Sequence, residues 1–175
     1  GELFEPSAAA RSDVSMPQLE ALQDHHAYLS LMLSFTNNPG DYDVIHNHSL
    51  HYLPVAMGPA VETPMVTTLH TPPTPWIESA LTLAPGTRCV AVSRHTAQSW
   101  SHVLGEIPVV HNGVQFDRWP AGPGGDDLVW FGRFVPEKGA HLAIEAAQRA
   151  GRRLRLAGPI SDTRYFEQQI APSLG

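Results

Sequence analysis

The feature that most constrains the fold of this chain is a unit that recurs from Asp43 onward. In each copy a short apolar run ends in a polar residue, a turn follows, and an amphipathic stretch comes next. The runs and their closing residues are Val44-Ile45 before His46, Met65–Leu69 before His70, Cys89–Val92 before Ser93, and Val109-Val110 before His111. Strands that alternate with helices predict a parallel sheet covered by helices. The sequence therefore predicts an α/β fold.

The composition excludes several classes of protein. Hydrophobic residues make up 42% of the chain, enough to bury a core, so we exclude a disordered chain. A formal net charge of -6 offers no basic surface for nucleic acid or an anionic membrane. The single cysteine, Cys89, excludes a disulfide framework, and its apolar strand indicates a packing role. No apolar run reaches the ~20 residues of a membrane span, so we expect a cytoplasmic protein.

Two segments outside the recurring unit organise the chain. Ser15 is expected to cap a helix that ends near Asn37, with its apolar face formed by Leu19, Leu22, His26, Leu29 and Leu33. Residues 119–126 include a Gly/Pro cluster typical of a linker. We therefore predict a first domain over residues 1–118 and a second over 127–175. The second domain looks incomplete, because its roughly fifty residues are too few to bury a core easily by themselves.

The strongest local motif lies in the second domain, between the apolar strand Leu128–Phe131 and a helix predicted over Glu137–Ala150. It is the run Gly132-Arg133-Phe134-Val135-Pro136-Glu137-Lys138-Gly139. A turn from strand to helix directs backbone N–H groups and the positive end of the helix dipole at one point, which suits phosphate. Arg133 adds a planar fork, and Lys138, the only lysine, adds a point charge. The alternative is two solvated charges on an ordinary turn.

Polar residues close the predicted strands, and ligands of open parallel sheets bind beyond such carboxyl ends. They are His46, His48, His70, Ser93, His111 and Asn112. His70 is favoured for function because it closes an uninterrupted apolar strand and precedes a proline-stiffened loop. The spacing of His46 and His48 also occurs in metal hydrolases, but no carboxylates close the later strands to complete such a site. We therefore expect no bound metal.

Five motifs in register resemble those of retaining GT-B glycosyltransferases, the large group-one family (family four). They are Asp43–His48 (DVIHNH), Thr68–His70 (TLH), Val90–Ser93 (VAVS), Val110–Val114 (VHNGV) and Gly132–Gly139 (GRFVPEKG). The resemblance implies two Rossmann-like domains, both incomplete in this chain, that face each other across a cleft for a nucleotide-sugar. That donor is a substrate, and no cofactor is expected.

The resemblance also implies roles for individual residues. Gly132, Arg133 and Lys138 would bind the donor diphosphate, and His70 would line the catalytic centre near the transferred sugar. The acceptor side or the cleft would be lined by His46, His48, Ser93 and Asn112. The reaction implied is transfer of a hexosyl group to an acceptor hydroxyl with retention of configuration.

The chain departs from this family at both ends. A first strand with a glycine-rich loop is not recognisable before Ser15, and the family's EPFGxxxxE motif would fall beyond Gly175. We therefore expect a central fragment that is inactive by itself. Two alternatives stay open: a metal-dependent hydrolase that uses His46 and His48, and a non-catalytic nucleotide-binding fragment.

Overall fold

The computed structural model describes residues 3–174, whose contacts divide them into two compact units, one ending at Val114 and the other beginning at Gln115. Each unit contains its own parallel sheet with helices, which confirms the predicted α/β class. Residues 119–126, the predicted linker, form neither helix nor strand. Within residues 3–174, no helix has both the length and the hydropathy of a membrane span.

The first unit follows the alternation that the sequence predicts. Its elements are α1 (Ala8–Arg11), α2 (Leu19–Asn37), β1 (Ile45–Asn47), α3 (Leu53–Met57), β2 (Met65–Leu69), α4 (Pro75–Leu83), β3 (Arg88–Ala91), α5 (Arg94–Ser99) and α6 (Ser101–Leu104). The strands lie in the order β1-β2-β3 and all pair in parallel. A single parallel bridge from Ala91 to Val109 extends this sheet. The carboxyl ends of the strands therefore share one edge.

The core of the first unit surrounds Trp100, which is fully buried beside Val55, Leu69 and Ile77. The indole Nε1–H of Trp100 donates a hydrogen bond of 2.8 Å to the carbonyl oxygen of Thr71. This bond fastens the loop after β2 to the core. Cys89 lies in the same core, where burial raises the pKa of its thiol to about 11, as expected for a packing residue.

Helix α2 differs from its prediction in two respects. Ser15 does not cap it: the Ser15 backbone N–H donates to Asp13 Oδ1, and the helix begins only at Leu19. The predicted apolar face is also rotated: α2 packs against α3, and its buried residue is Met32, whereas Leu33 is 45% exposed. The regular spacing of leucines predicted the helix but not which of its faces packs against α3.

The second unit has two parallel strands and one long helix. Its elements are β4 (Leu128–Phe131), α7 (Ala140–Arg149), β5 (Leu154–Ala157) and α8 (Thr163–Tyr165), with a π-helical turn at Phe166–Ile170. A 3-10 turn at Pro136–Lys138 precedes α7. The helix begins at Ala140 rather than at Glu137, because Gly139 adopts a left-handed conformation (φ +68°) that interrupts the helical backbone.

A small ion cluster joins the amino ends of β4 and β5. Both carboxylate oxygens of Asp127 accept hydrogen bonds from Arg153, at 2.9 and 2.8 Å, and one of them also accepts from Arg155. These two guanidinium groups lower the pKa of Asp127 to about 2. The cluster lies at the amino edge of this sheet, opposite the turn that follows β4.

Candidate functional site

Three predicted histidines lie at the carboxyl edge of the first unit. His46 lies in β1 and His48 directly follows it. Both side chains are exposed and that of Asn47 between them is buried, as the two-residue period of a strand requires. Asn47 holds the turn: its amide Nδ2–H donates to Thr67 Oγ1, and its Oδ1 accepts from the backbone N–H of Ser49. His70 follows β2 directly and is also exposed. The parallel pairing of β1 with β2 brings the three imidazoles together.

These side chains form a continuous hydrogen-bonded row with Thr68, which we call the histidine chain. His70 Nε2 lies 2.9 Å from His48 Nδ1, and His48 Nε2 lies 3.2 Å from His46 Nδ1. At the inner end, His46 Nε2 lies 2.8 Å from Thr68 Oγ1. The structure thus connects His70, predicted near the catalytic centre, with His46 and His48, predicted on the acceptor side.

The protons of the histidine chain can be arranged in two ways. A neutral imidazole has one N–H donor and one acceptor nitrogen. In one arrangement His70 donates to His48, His48 to His46, and His46 to Thr68. In the other every bond is reversed, and the hydroxyl of Thr68 donates first. The two arrangements differ in the nitrogen that carries the proton of each neutral imidazole, which is Nε2 in the first arrangement and Nδ1 in the second.

The surroundings of His48, the middle residue of the histidine chain, favour its neutral form. Partial desolvation lowers the pKa of His48, and positive charge on His46 or His70 would lower it further. A neutral His48 must donate through one nitrogen and accept through the other. The histidine chain therefore has a defined direction in each of its two arrangements.

The geometry of the three histidines does not favour the metal-dependent hydrolase. The two nitrogens of His48 face different neighbours, so the three imidazoles do not direct their lone pairs at one point. Across residues 3–174, no group of three or more His, Cys, Asp or Glu side chains could hold a metal ion. Zinc sites in proteins use three or four converging ligands.

We predict that the purified protein contains no stoichiometric zinc or manganese. A metal at His46 and His48 would have to displace the hydrogen bonds of the histidine chain. Elemental analysis of the protein and of His46→Ala measures this directly. One metal per chain in the parent, lost in the variant, would favour the hydrolase over a transferase.

Ser93 and Asn112 lie farther along the same edge. The hydroxyl of Ser93 accepts a hydrogen bond of 3.1 Å from the backbone N–H of Thr96 and thereby caps α5. Asn112 is exposed after the Val109 bridge, and its neighbour His111 donates from Nδ1 to the carbonyl of Val92. Ser93 thus stabilises the start of α5, whereas Asn112 caps none of the helices within residues 3–174.

The second unit contains the predicted phosphate-binding turn, residues 132–139, which we call the phosphate loop. Phe134 anchors it in the core, and the backbone N–H of Phe134 donates to the carbonyl of Pro159. Trp130 Nε1–H donates to the carbonyl of Lys138 at 3.2 Å. The side chains of Arg133 and Lys138 are exposed, and neither forms an ion pair with another residue in the described range 3–174. Both cations are available to an anion.

Gly132 is held against the turn that follows β5. Gly158 has φ +152°, and a Cβ added there would lie 1.8 Å from the carbonyl oxygen of Gly132. Only glycine permits this approach of two backbones. The neighbouring Phe134 and Ile160 continue the contact as a parallel bridge. The backbone at Gly158 therefore positions the start of the phosphate loop.

Gly158→Ala is expected to destabilise the second unit by about 1–3 kcal/mol, because the methyl group must push Gly132 away. It should also weaken anion binding to the phosphate loop, although residue 158 has no charge. Gly151→Ala is the matched control, since Gly151 also has positive φ but has open space around its added Cβ. Urea unfolding measures the difference, and equal midpoints for the two variants would contradict the packing role of Gly158.

Two positioning residues were not predicted: Thr68 stood in the TLH motif without a role, and Gly158 was not singled out. Thr68 lies two residues before His70, and strand periodicity alone places both on one face of β2. A glycine directly follows each strand of the second unit, Gly132 after β4 and Gly158 after β5. This repeated position could have indicated from the sequence that Gly158 matters for the turn. The hydrogen bond and the close contact themselves depend on the pairing of strands.

One comparison with known families gives a match. The sequence profile of Glycosyltransferase Family 4 matches residues 11–118, which is more than half of the chain and includes the whole histidine chain. The phosphate loop lies beyond the matched range. No curated protein matches the sequence.

Proposed function

The chain belongs to Glycosyltransferase Family 4, and from this premise we propose that it transfers a hexosyl group from a nucleoside-diphosphate sugar to an acceptor hydroxyl with retention of configuration. The observation that carries the donor class is the phosphate loop. It presents one guanidinium and one ammonium group, both exposed, within one turn before the ten-residue helix α7.

In this proposal the phosphate loop stabilises the leaving group. Negative charge grows on the diphosphate oxygen as the bond to the sugar breaks. Arg133 can bind two of its oxygens at once, Lys138 supplies a point charge, and the amino end of α7 adds its dipole. Charges that are already in place cost little reorganisation during the reaction. No cofactor takes part.

The new bond forms on the face from which the diphosphate leaves. The bond from the anomeric carbon to the phosphate oxygen breaks, and a bond to the acceptor oxygen replaces it. The acceptor proton passes to the departing phosphate. His70 positions the transferred sugar, and the hydrogen bond with His48 within the histidine chain orients the ring of His70. Ser93 and Asn112 line the acceptor side or the cleft.

The test is a transfer reaction catalysed by the full-length protein and followed by NMR, with UDP-sugars and GDP-sugars as donors. We expect release of nucleoside diphosphate together with a glycoside of the donor's anomeric configuration. A product with inverted configuration would contradict retention. A metal-dependent hydrolysis of phosphate esters, abolished in His48→Ala, would instead support the hydrolase.

A further inference from the structure

The first unit has a row of aromatic rings that the proposed mechanism does not use. Tyr28 stacks on His51 with ring centroids 4.5 Å apart, His51 on Tyr52 at 4.8 Å, and Tyr52 on Trp76 at 5.5 Å. The planes of successive rings differ by at most 29°. We call these four residues the aromatic row. Its inner rings cover one another, so the outer end at Trp76 is the part available to a ligand.

Trp76 is exposed but held in place. Its side chain is 72% exposed, although Tyr52 stacks on it and itself packs on the core of this unit. Trp76 occupies the first turn of α4, directly after Pro75, and the preceding loop is fastened by the bond from Trp100 to Thr71. A large apolar ring with little freedom loses little entropy when it binds a ligand.

One ring of the aromatic row, His51, also has a nitrogen that can donate a hydrogen bond. The backbone N–H of Leu53 donates to His51 Nδ1 at 3.2 Å, so the proton of a neutral His51 lies on Nε2. Burial lowers the pKa of His51, and the charge of His25 adds to this effect, while Asp24 acts against it. His51 is therefore a neutral donor beside stacked rings.

We propose that Trp76 binds a pyranose ring of the acceptor, with the aromatic row as its support. A pyranose has one face of C–H groups with partial positive charge, and these fit the negative face of an indole. Its hydroxyls lie around the rim of the ring, so they keep access to water and to polar groups while the C–H face stacks on the indole. The inference rests on the proposed function, because it assigns the acceptor of that transfer to the class of carbohydrates.

The position of the row agrees with this assignment. His51 follows β1 and Trp76 follows β2, so both come after the carboxyl edge that carries the histidine chain. The loop from His70 to Trp76 contains Pro72, Pro73 and Pro75, which restrict its backbone. A sugar on Trp76 would thus be bound by the same rigid loop that begins at His70.

The experiment is saturation-transfer NMR on the protein with a panel of methyl pyranosides (gluco, galacto and manno), uridine and farnesol as probes. We expect transfer to the C–H protons of one face of at least one pyranoside. Trp76→Ala should weaken that binding about tenfold, and Trp76→Phe should retain part of it. The matched control is Trp119→Ala, which removes an indole that is 76% exposed and stacks on no ring of the row.

A second titration separates this inference from the proposed function. Trp76→Ala should bind UDP or GDP as tightly as the parent, because the phosphate loop is in the other unit. Nucleotide binding without any pyranoside signal would overturn the acceptor assignment alone. Signals from uridine or farnesol that depend on Trp76 would overturn it as well. Loss of pyranoside binding in Trp119→Ala but not in Trp76→Ala would place the sugar elsewhere.

Discussion

Arg133→Ala and Lys138→Ala are each expected to weaken nucleoside-diphosphate binding by roughly ten- to a hundredfold. Both side chains are exposed on the phosphate loop, and neither has an ion-pair partner among residues 3–174. A hydrogen bond to a charged group contributes ~1.5–3 kcal/mol, and about 1.4 kcal/mol corresponds to a factor of ten in affinity. Calorimetric titration with UDP and GDP measures the effect.

Two further variants make this test specific. Arg133→Lys keeps the charge but loses the planar fork, so we expect an intermediate loss of affinity. Arg149→Ala removes an equal charge from the far end of α7, where the arginine pairs with Glu145, and should bind like the parent. Parent-like affinity in both Arg133→Ala and Lys138→Ala would show that these cations are merely solvated.

Trp100→Ala is expected to lower the free energy of unfolding of the first unit by about 3–5 kcal/mol. The indole is fully buried, and its loss leaves a cavity in the core cluster that also contains Val55, Leu69 and Ile77. It also leaves the carbonyl of Thr71 without its donor. Urea unfolding followed by circular dichroism measures the change, and we expect weaker sugar binding because the loop after β2 is released.

Trp76→Ala is the matched comparison within the same unit. Its indole is 72% exposed, so the stability cost should stay below about 1 kcal/mol. Trp100→Phe keeps most of the packing but not the N–H donor, and it separates the hydrogen bond from the buried volume. Equal unfolding midpoints for Trp100→Ala and Trp76→Ala would contradict the central position of Trp100.

The strands were predictable because their information is local. Short β-branched runs with polar closing residues gave β1, β2 and β3, and parallel order then placed His46, His48 and His70 at one edge. The turn between β4 and α7 was predictable for the same reason, since its strand, glycines and cations are contiguous in the sequence, whereas its binding of phosphate stays a prediction.

What the sequence did not predict depends on partners distant along the chain. The buried side of α2 is decided by its packing on α3, so the leucine spacing misplaced its face toward Leu33. Likewise, the bond between His48 and His70 joins residues 22 positions apart and arises from strand register. The start of α7 shifted because one left-handed glycine, Gly139, ended the preceding turn.

The most direct test of the donor site is calorimetric titration of the protein with UDP, GDP and inorganic phosphate. We expect one saturable site for a nucleoside diphosphate, bound at least tenfold more tightly than inorganic phosphate, because Arg133, Lys138 and the amino end of α7 lie within one short segment and can each contact a diphosphate. Absence of binding by both nucleotides, in a protein that retains its folded circular dichroism spectrum, would contradict the assignment of the phosphate loop as the donor site.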